Sequence, residues 1–194
     1  TPAQVGALTA LQIDALSPAQ IAALGADLSD LSVAALGSID AAQAAQITTT
    51  QLDTFDAADI AALAPAAVGG LTPTALASLD STQLAALTVA QLGALTPAQV
   101  GALTALQIDA LSPAQIAALG ADLSALSTAA IGSIDGTQAA AITTTQLDSF
   151  DATDIAALAP AAVGGLTPAA LASLDDAQLR ALTPAQVAAL TATQ

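Results

Sequence analysis

The first 24 residues, Thr1–Leu24, read TPAQVGAL, TALQIDAL and SPAQIAAL, three versions of one eight-residue pattern. Each of these octads begins with Thr or Ser and ends with Leu, and most of the chain repeats this form. Thr, Ser and Asp are strong helix N-caps, and a Gln three residues later can accept a hydrogen bond from the backbone N–H of the cap residue. The octad therefore predicts a short helix that starts with a capping box.

Proline separates these helices. All nine prolines of the chain stand at position 2 of an octad, where the first helical residue needs no N–H and the preceding residue is kept out of the helical region. One continuous helix is excluded, because interior prolines cost about 3 kcal/mol each and a period of eight would rotate the leucine row by about 80° per octad. A β-solenoid is disfavoured, because Ala, Gln, Asp and Leu are poor strand formers and no alternation of period two is present.

Positions 5 and 8 of the octad carry the large apolar residues, which lie on one helix face because they are three residues apart. Isolated helices shorter than about 12 residues are marginal in water, so helices of about seven residues must pack on their neighbours. The sequence predicts an all-α solenoid, a superhelical rod of short capped helices with one helix per eight-residue repeat.

A longer repeat contains the octads. Residues 1–95 form a first long repeat, residues 96–190 form a near copy of it, and residues 191–194 begin a third. We expect the three segments to form one continuous solenoid. Each long repeat is interpreted as eleven octads with two insertions, GADL and GSI, which we expect to bend the coil after left-handed glycine caps. These insertions are Gly25–Leu28 and Gly37–Ile39 in the first copy, and Gly120–Leu123 and Gly132–Ile134 in the second.

The two copies differ at fifteen positions, none of which is position 1 or 4 of an octad. This distribution supports a capping role for those two positions. One difference does not fit the assignment, because Val33 is replaced by Thr128 at a predicted core position.

Charge and composition limit the partners. The chain has sixteen acidic residues, all of them Asp, one cation, Arg180, and a net charge of -15. Such a chain should bind neither nucleic acid nor anionic membrane surfaces, which basic patches recognise. No apolar run reaches the roughly 18 to 20 residues that span a bilayer, so membrane insertion is not expected.

Catalytic motifs are missing from the sequence. Without Cys or His there is no thiol nucleophile, no imidazole base and no Cys or His metal ligand. The AVGGL segment with Gly69 and Gly70 lacks the Lys and the spacing of a phosphate-binding loop, and these glycines instead predict a tight helix contact. We expect no enzyme activity and no cofactor.

Two clusters of Asp are candidate calcium ligands, because carboxylate oxygens suit Ca²⁺. The candidate metal residues are Asp53, Asp56 and Asp59, and their copies Asp148, Asp151 and Asp154. A structural explanation competes: Asp56 is a predicted N-cap, Asp59 replaces Gln in the first helical turn, where negative charge suits the helix dipole, and Asp53 lies on a solvated face. The structural explanation is preferred, because the Gly-rich nonapeptides of calcium-binding solenoids are absent.

Two resemblances bear on function. The string LTPAQV at Leu95–Val100 resembles the start of the repeat in TAL effectors, but the unit here is eight residues long and the acidic charge is unsuited to DNA. The whole chain resembles Ala/Thr/Asp-rich tandem-repeat segments of large secreted bacterial surface proteins such as adhesins. That resemblance implies an extracellular or cell-surface stalk flanked by further repeats of a larger chain. A designed or consensus repeat protein would share several of these features.

The sequence thus predicts a structural spacer without catalysis. The alternative is a binding module that uses the solenoid surface to recognise a protein, a glycan or, through calcium, a cell surface. We also expect that copies of the chain can associate with one another, because the chain exposes much Ala at low charge density. The only aromatic residues, Phe55 and Phe150, stand at core position 8, which favours the spacer.

Overall fold

The computed structural model describes the whole chain, Thr1–Gln194. Every regular element is a helix and there is no strand, so the predicted all-α class is confirmed. The residues form two compact units, Thr1–Gln99 and Val100–Gln194. None of the helices combines the length and the apolar character that a bilayer span requires.

The α-helices have four to six residues and are shorter than the predicted seven. The reason is that the backbone N–H at position 8 of the octad donates to the carbonyl at position 5, which ends the helix. An example is the bond from the Phe55 N–H to the Leu52 carbonyl, at 3.0 Å. The next residue is the extended cap. In the first unit the α-helices are Pro2–Gly6, Ala10–Asp14, Pro18–Ala23, Val33–Leu36, Ala41–Ala44, Thr49–Leu52, Ala57–Ala62, Pro65–Gly70, Pro73–Ser78, Ser81–Ala85 and Val89–Leu92, with a 3₁₀ helix at Gly25–Asp30.

The same succession of elements follows in the second half of the chain. The α-helices there are Pro97–Gly101, which begins just before the second unit, Ala105–Asp109, Pro113–Ala118, Thr128–Ile131, Gly136–Ala139, Thr144–Asp148, Ala152–Ala157, Pro160–Gly165, Pro168–Ala172, Asp176–Ala181 and Pro184–Ala188, with a 3₁₀ helix at Gly120–Ala125.

Each unit is a coil of these short helices. Counting the 3₁₀ helix as an element, each helix packs on the element three places earlier; Pro65–Gly70 packs on Ala41–Ala44, and Ser81–Ala85 packs on Ala57–Ala62. Most side chains at positions 5 and 8, such as Leu52 and Phe55, are buried inside the coil. The packing is therefore solenoid-like within each unit, as the repeat pattern predicts.

The structure corrects the octad frame around the predicted insertions. Gly25, in the left-handed region at φ 59°, starts the 3₁₀ helix Gly25–Asp30, and the next α-helix is capped by Ser32, whose Oγ accepts from the Ala35 N–H at 3.3 Å. One seven-residue unit, residues 25–31, therefore replaces an octad, and its buried Leu28 and Leu31 take the places of positions 5 and 8.

The segment predicted as the GSI insertion belongs to an ordinary octad, residues 32–39, with Leu36 and Ile39 as its buried pair. Its glycine, Gly37, has φ -67° and is not a left-handed cap. Val33 is consequently the first residue of a helix and is exposed. This position tolerates the exchange to Thr128, which did not fit the predicted frame.

Candidate functional site

The interface between successive turns of the coil depends on the Gln at position 4 of the octad. Gln91 illustrates its geometry: its side-chain Oε1 accepts from the Thr88 backbone N–H at 2.7 Å, while the Gln91 N–H donates to Thr88 Oγ1 at 3.2 Å. These two bonds form the reciprocal capping box that the sequence pattern favours.

The other end of the same amide links two helices. Nε2 of Gln91 donates to the Ile60 and Leu63 carbonyl oxygens, both at 2.8 Å. These carbonyls belong to positions 5 and 8 of an octad four elements earlier, at the end of a helix, where backbone carbonyls lack their usual intrahelical partners. The Ile60 carbonyl also accepts from the Leu63 N–H at 3.3 Å. A single buried side chain thus satisfies the start of one helix and the end of another.

We call the glutamines that make this link the ladder glutamines. Each donates from Nε2 to carbonyls 26 to 31 residues earlier in its own unit. Most of them are buried, with Gln43, Gln91 and Gln99 each only 1% exposed. The ladder glutamines are Gln43, Gln51, Gln83, Gln91, Gln99, Gln138, Gln146, Gln178, Gln186 and Gln194.

Sequence reasoning assigned these glutamines to capping alone and missed the link. One signal was available, because Glu serves a capping box as well as Gln does, yet this chain contains no Glu. The use of Gln and never Glu at these positions indicates that the amide nitrogen is required. A carboxylate at the same place would face carbonyl oxygens without a proton to donate.

A second contact brings two helix backbones together. A Cβ added to Gly70 would lie 2.6 Å from the Ala41 Cα, and in the second unit Gly165 is in the same close contact with Gly136. No side chain fits between these backbones. The tight helix contact predicted for the AVGGL segment is therefore confirmed, although the partner helix lies about thirty residues away in sequence.

The predicted calcium ligands occupy the start of one helix and the end of the helix before it. Asp56 caps the Ala57–Ala62 helix, and its Oδ1 accepts from the Ala58 N–H at 2.7 Å and the Asp59 N–H at 2.9 Å. Asp59 Oδ2 accepts from the Asp56 N–H at 3.0 Å, and Asp53 is exposed at the end of the preceding helix. The Asp56 and Asp59 carboxylates are thus engaged in capping.

The copies in the second unit are arranged in the same way. Asp151 caps its helix through bonds to the Thr153 and Asp154 N–H groups, Asp154 accepts from the Asp151 N–H at 3.0 Å, and Asp148 is exposed. No group of three or more acidic side chains in the structure is arranged to hold a metal ion.

Partial burial changes the acidity of the Asp residues that replace ladder glutamines. Desolvation raises the pKa of Asp59 above its ordinary value, and repulsion from the Asp56 carboxylate adds to this, while the hydrogen bond from the Asp56 N–H opposes it. The pKa of Asp154 is raised for the same reasons, with Asp151 as the neighbour. At Asp135 the hydrogen bond from the Gln138 N–H lowers the pKa instead.

Comparison with known proteins identifies the kind of repeat. The model of a family described as the ALTTAQ repeat matches residues 89–121 and 155–192, which together make up less than half of the chain. The chain is similar to the ALTTAQ repeat. In this sequence the string occurs as ALTPAQ at Ala94–Gln99 and Ala181–Gln186, so it contains the cap residue and the ladder glutamine of one octad. A search of curated proteins found no match.

The family match and the helical coil both describe the same kind of protein. It is a tandem-repeat segment, and the repeat region is structural. The string that gives the family its name, present here as ALTPAQ, contains the residues that make the helix cap and the contact between turns.

Proposed function

We propose that this chain is a non-catalytic spacer, a stalk segment in a larger secreted or cell-surface protein, and that the protein is bacterial. The observation that carries the proposal is the ladder of buried glutamines, because it joins successive turns by contacts that any added octad with Gln at position 4 can repeat. All buried side-chain polar atoms have hydrogen-bond partners within the chain. The polar groups of the interior are therefore used to hold the coil together.

The extracellular assignment is supported by the resemblance in composition to tandem-repeat segments of bacterial surface proteins. The acidic charge of -15 favours solubility and self-repulsion, properties that suit a crowded surface. Antibody labelling of intact cells that express the natural parent protein would test it, and labelling only after permeabilisation would contradict the assignment.

Small-angle X-ray scattering tests the spacer itself. The 194-residue chain is compared with a tandem protein in which residues 1–190 are followed by residues 1–194. A spacer should nearly double its maximum dimension, whereas a compact globule of doubled length would grow by only about 30%. Growth close to the globular value would refute the proposal.

The alternative function, a protein-binding module, is favoured by one observation. Leu11 and Leu106 stand at equivalent positions of the two long repeats and are 82% and 79% exposed. Every other octad has a smaller residue at this position, so the exposed leucines are not explained by packing. If they bind a partner, a Leu11→Gln, Leu106→Gln variant should lose that partner in a pull-down from the natural host and keep the melting temperature of the parent.

A further inference from the structure

The ladder of glutamines has a gap three octads long in the interior of each unit. Position 4 of these successive octads is Asp59, Ala67 and Ala75 in the first unit, and Asp154, Ala162 and Ala170 in the second. An ionised Asp carboxylate accepts hydrogen bonds but cannot donate them, and Ala has no polar side-chain atom. If the Nε2 bonds of one ladder glutamine are called a rung, three successive rungs are missing at the same place in both units.

The register of the ladder identifies the carbonyls that the missing rungs would have bound. Gln83 binds the Leu52 and Phe55 carbonyls, which lie 31 and 28 residues earlier. Counting back in the same way from positions 59, 67 and 75 leads to the carbonyls of Leu28, Leu31, Leu36, Ile39, Ala44 and Ile47. No side chain donates to any of these six carbonyls, and their equivalents in the second unit have no side-chain donor either.

Three missing rungs make up one full turn of the coil, because each helix packs on the element three places earlier. The gap therefore runs around every side of the coil at one level. Elsewhere, at most two successive elements lack a glutamine at this position. We call this level the seam; it separates residues 25–47 from residues 56–79 in the first unit, and residues 120–142 from residues 151–174 in the second.

Apolar packing and one close backbone contact hold the seam together. Buried side chains such as Leu36 and Leu76 lie on its two sides, but apolar pairs of this kind are also buried at the levels that have rungs. The contact of Gly70 with the Ala41 backbone lies on only one side of the coil. Asp59 is half-buried, and its carboxylate accepts from the Asp56 N–H of its own octad. The seam is therefore the level with the fewest bonds between turns.

We propose that the seam is a conformational device, a level at which the coil parts reversibly while the turns on either side stay folded. In a repeat array each unit is held by its neighbours alone, so local opening begins at the interface with the fewest stabilising contacts. A coil built in this way yields at one level in each long repeat when it is bent or pulled. The glutamine-linked turns between two seams keep their structure.

Hydrogen exchange of single amides, followed by NMR in the 194-residue chain, tests the seam with a matched pair. The Ile47 N–H borders the seam and donates to the Ala44 carbonyl at 3.0 Å, and the Leu87 N–H, in a ladder octad, donates to the Leu84 carbonyl at 3.0 Å. Both residues are 2% exposed. After correction for intrinsic rates, Ile47 should exchange about tenfold faster than Leu87 or more. Its exchange should also respond less to urea, because parting the seam exposes less surface than global unfolding does.

The substitution Asp59→Gln restores one rung. It makes the octad begin DAAQ, the string at Asp40–Gln43, where Gln43 both completes a capping box and donates to two carbonyls of an earlier turn. The introduced amide should slow exchange at Ile47 by about tenfold. Ile142, the equivalent amide at the unchanged second seam, should exchange as in the parent. Asp59→Asn is the control, because it removes the same charge with an amide one methylene shorter, and it should slow Ile47 much less.

Equal exchange at Ile47 and Leu87 in the parent would overturn the proposal. So would equal slowing by Asp59→Gln and Asp59→Asn, which would assign the effect to the lost charge, or equal slowing at Ile47 and Ile142, which would assign it to overall stability. Exchange that simply quickens toward residue 1, with no effect of Asp59→Gln at Ile47, would indicate fraying of the chain end and would also overturn it. The scattering test of the spacer measures dimensions and not opening, so either proposal can fail without the other.

Discussion

Gln91 offers the sharpest test of the ladder, through the substitution Gln91→Glu. The change keeps the oxygen that accepts from the Thr88 N–H, but it places a carboxylate oxygen where Nε2 donates to the Ile60 and Leu63 carbonyls, both at 2.8 Å. The Leu63 carbonyl loses its donor, the Ile60 carbonyl keeps only the bond from the Leu63 N–H at 3.3 Å, and a charge is introduced at a position that is 1% exposed. Each buried group left unpaired costs about 1 to 3 kcal/mol.

We therefore expect the free energy of unfolding at neutral pH to fall by about 3 to 5 kcal/mol. Urea unfolding followed by far-ultraviolet circular dichroism measures it, with Gln46→Glu as the matched control on the exposed surface. The control should change the free energy of unfolding by less than about 0.5 kcal/mol.

The pH dependence provides a second readout. Burial raises the pKa of an introduced carboxyl above its unfolded value, so the folded form of the variant binds a proton more readily than the unfolded form. The penalty should be smallest below the unfolded pKa, where the introduced carboxyl is protonated and can donate again, and should grow as the pH rises through the folded pKa. A variant as stable as the control at neutral pH, or one whose deficit does not shrink in acid, would refute the assigned role.

Three further predictions follow from other contacts. Gly70→Ala should lower the free energy of unfolding by about 1 to 3 kcal/mol through overpacking against the Ala41 backbone. The control is Gly37→Ala, because a Cβ added there would lie 3.2 Å from its nearest neighbour. The control should lower the free energy of unfolding by less, as measured in the same urea titration. Asp59→Asn should raise the melting temperature near neutral pH, because the raised pKa of Asp59 means that its ionised form disfavours the fold. The gain in melting temperature should vanish below pH about 3.8, where Asp59 is protonated in both the folded and the unfolded state. A gain independent of pH would contradict this prediction. Calcium should leave the melting temperature of the parent unchanged relative to excess chelator, because the Asp56 and Asp59 carboxylates accept backbone hydrogen bonds; a substantial rise with calcium would identify the Asp clusters as ligands.

The local features of the fold were accessible from the sequence. A cap residue, its Gln and the apolar pair at positions 5 and 8 act within one octad, so Thr88, Gln91, Leu92 and Leu95 have the predicted roles of cap, first turn and core. The octad boundaries between residues 25 and 39 could not be predicted. An octad that starts at Ser29 and ends at Leu36 fits the pattern as well as one that starts at Ser32 and ends at Ile39. Only the packing of Leu28 and Leu31 decides between the two.

The contacts between turns could not be predicted from the sequence either. The bond from Gln91 Nε2 to the Ile60 carbonyl joins residues that are 31 positions apart, and their pairing depends on how many short helices complete a turn. That number follows from the packing angles between helices, which the octad does not encode. The Asp clusters were found by their spacing, and the roles of Asp56 and Asp59 in capping follow from local rules.

The separation of 26 to 31 residues that the ladder bonds span has a kinetic consequence. Folding of small domains slows as the mean sequence separation of contacting residues rises, because longer loops must close first. Here the loop closed by each ladder bond has the same length in both units, and an added long repeat would bring no longer one. Folding should therefore start at any turn and spread to its neighbours, at a rate per turn that does not fall as the array grows.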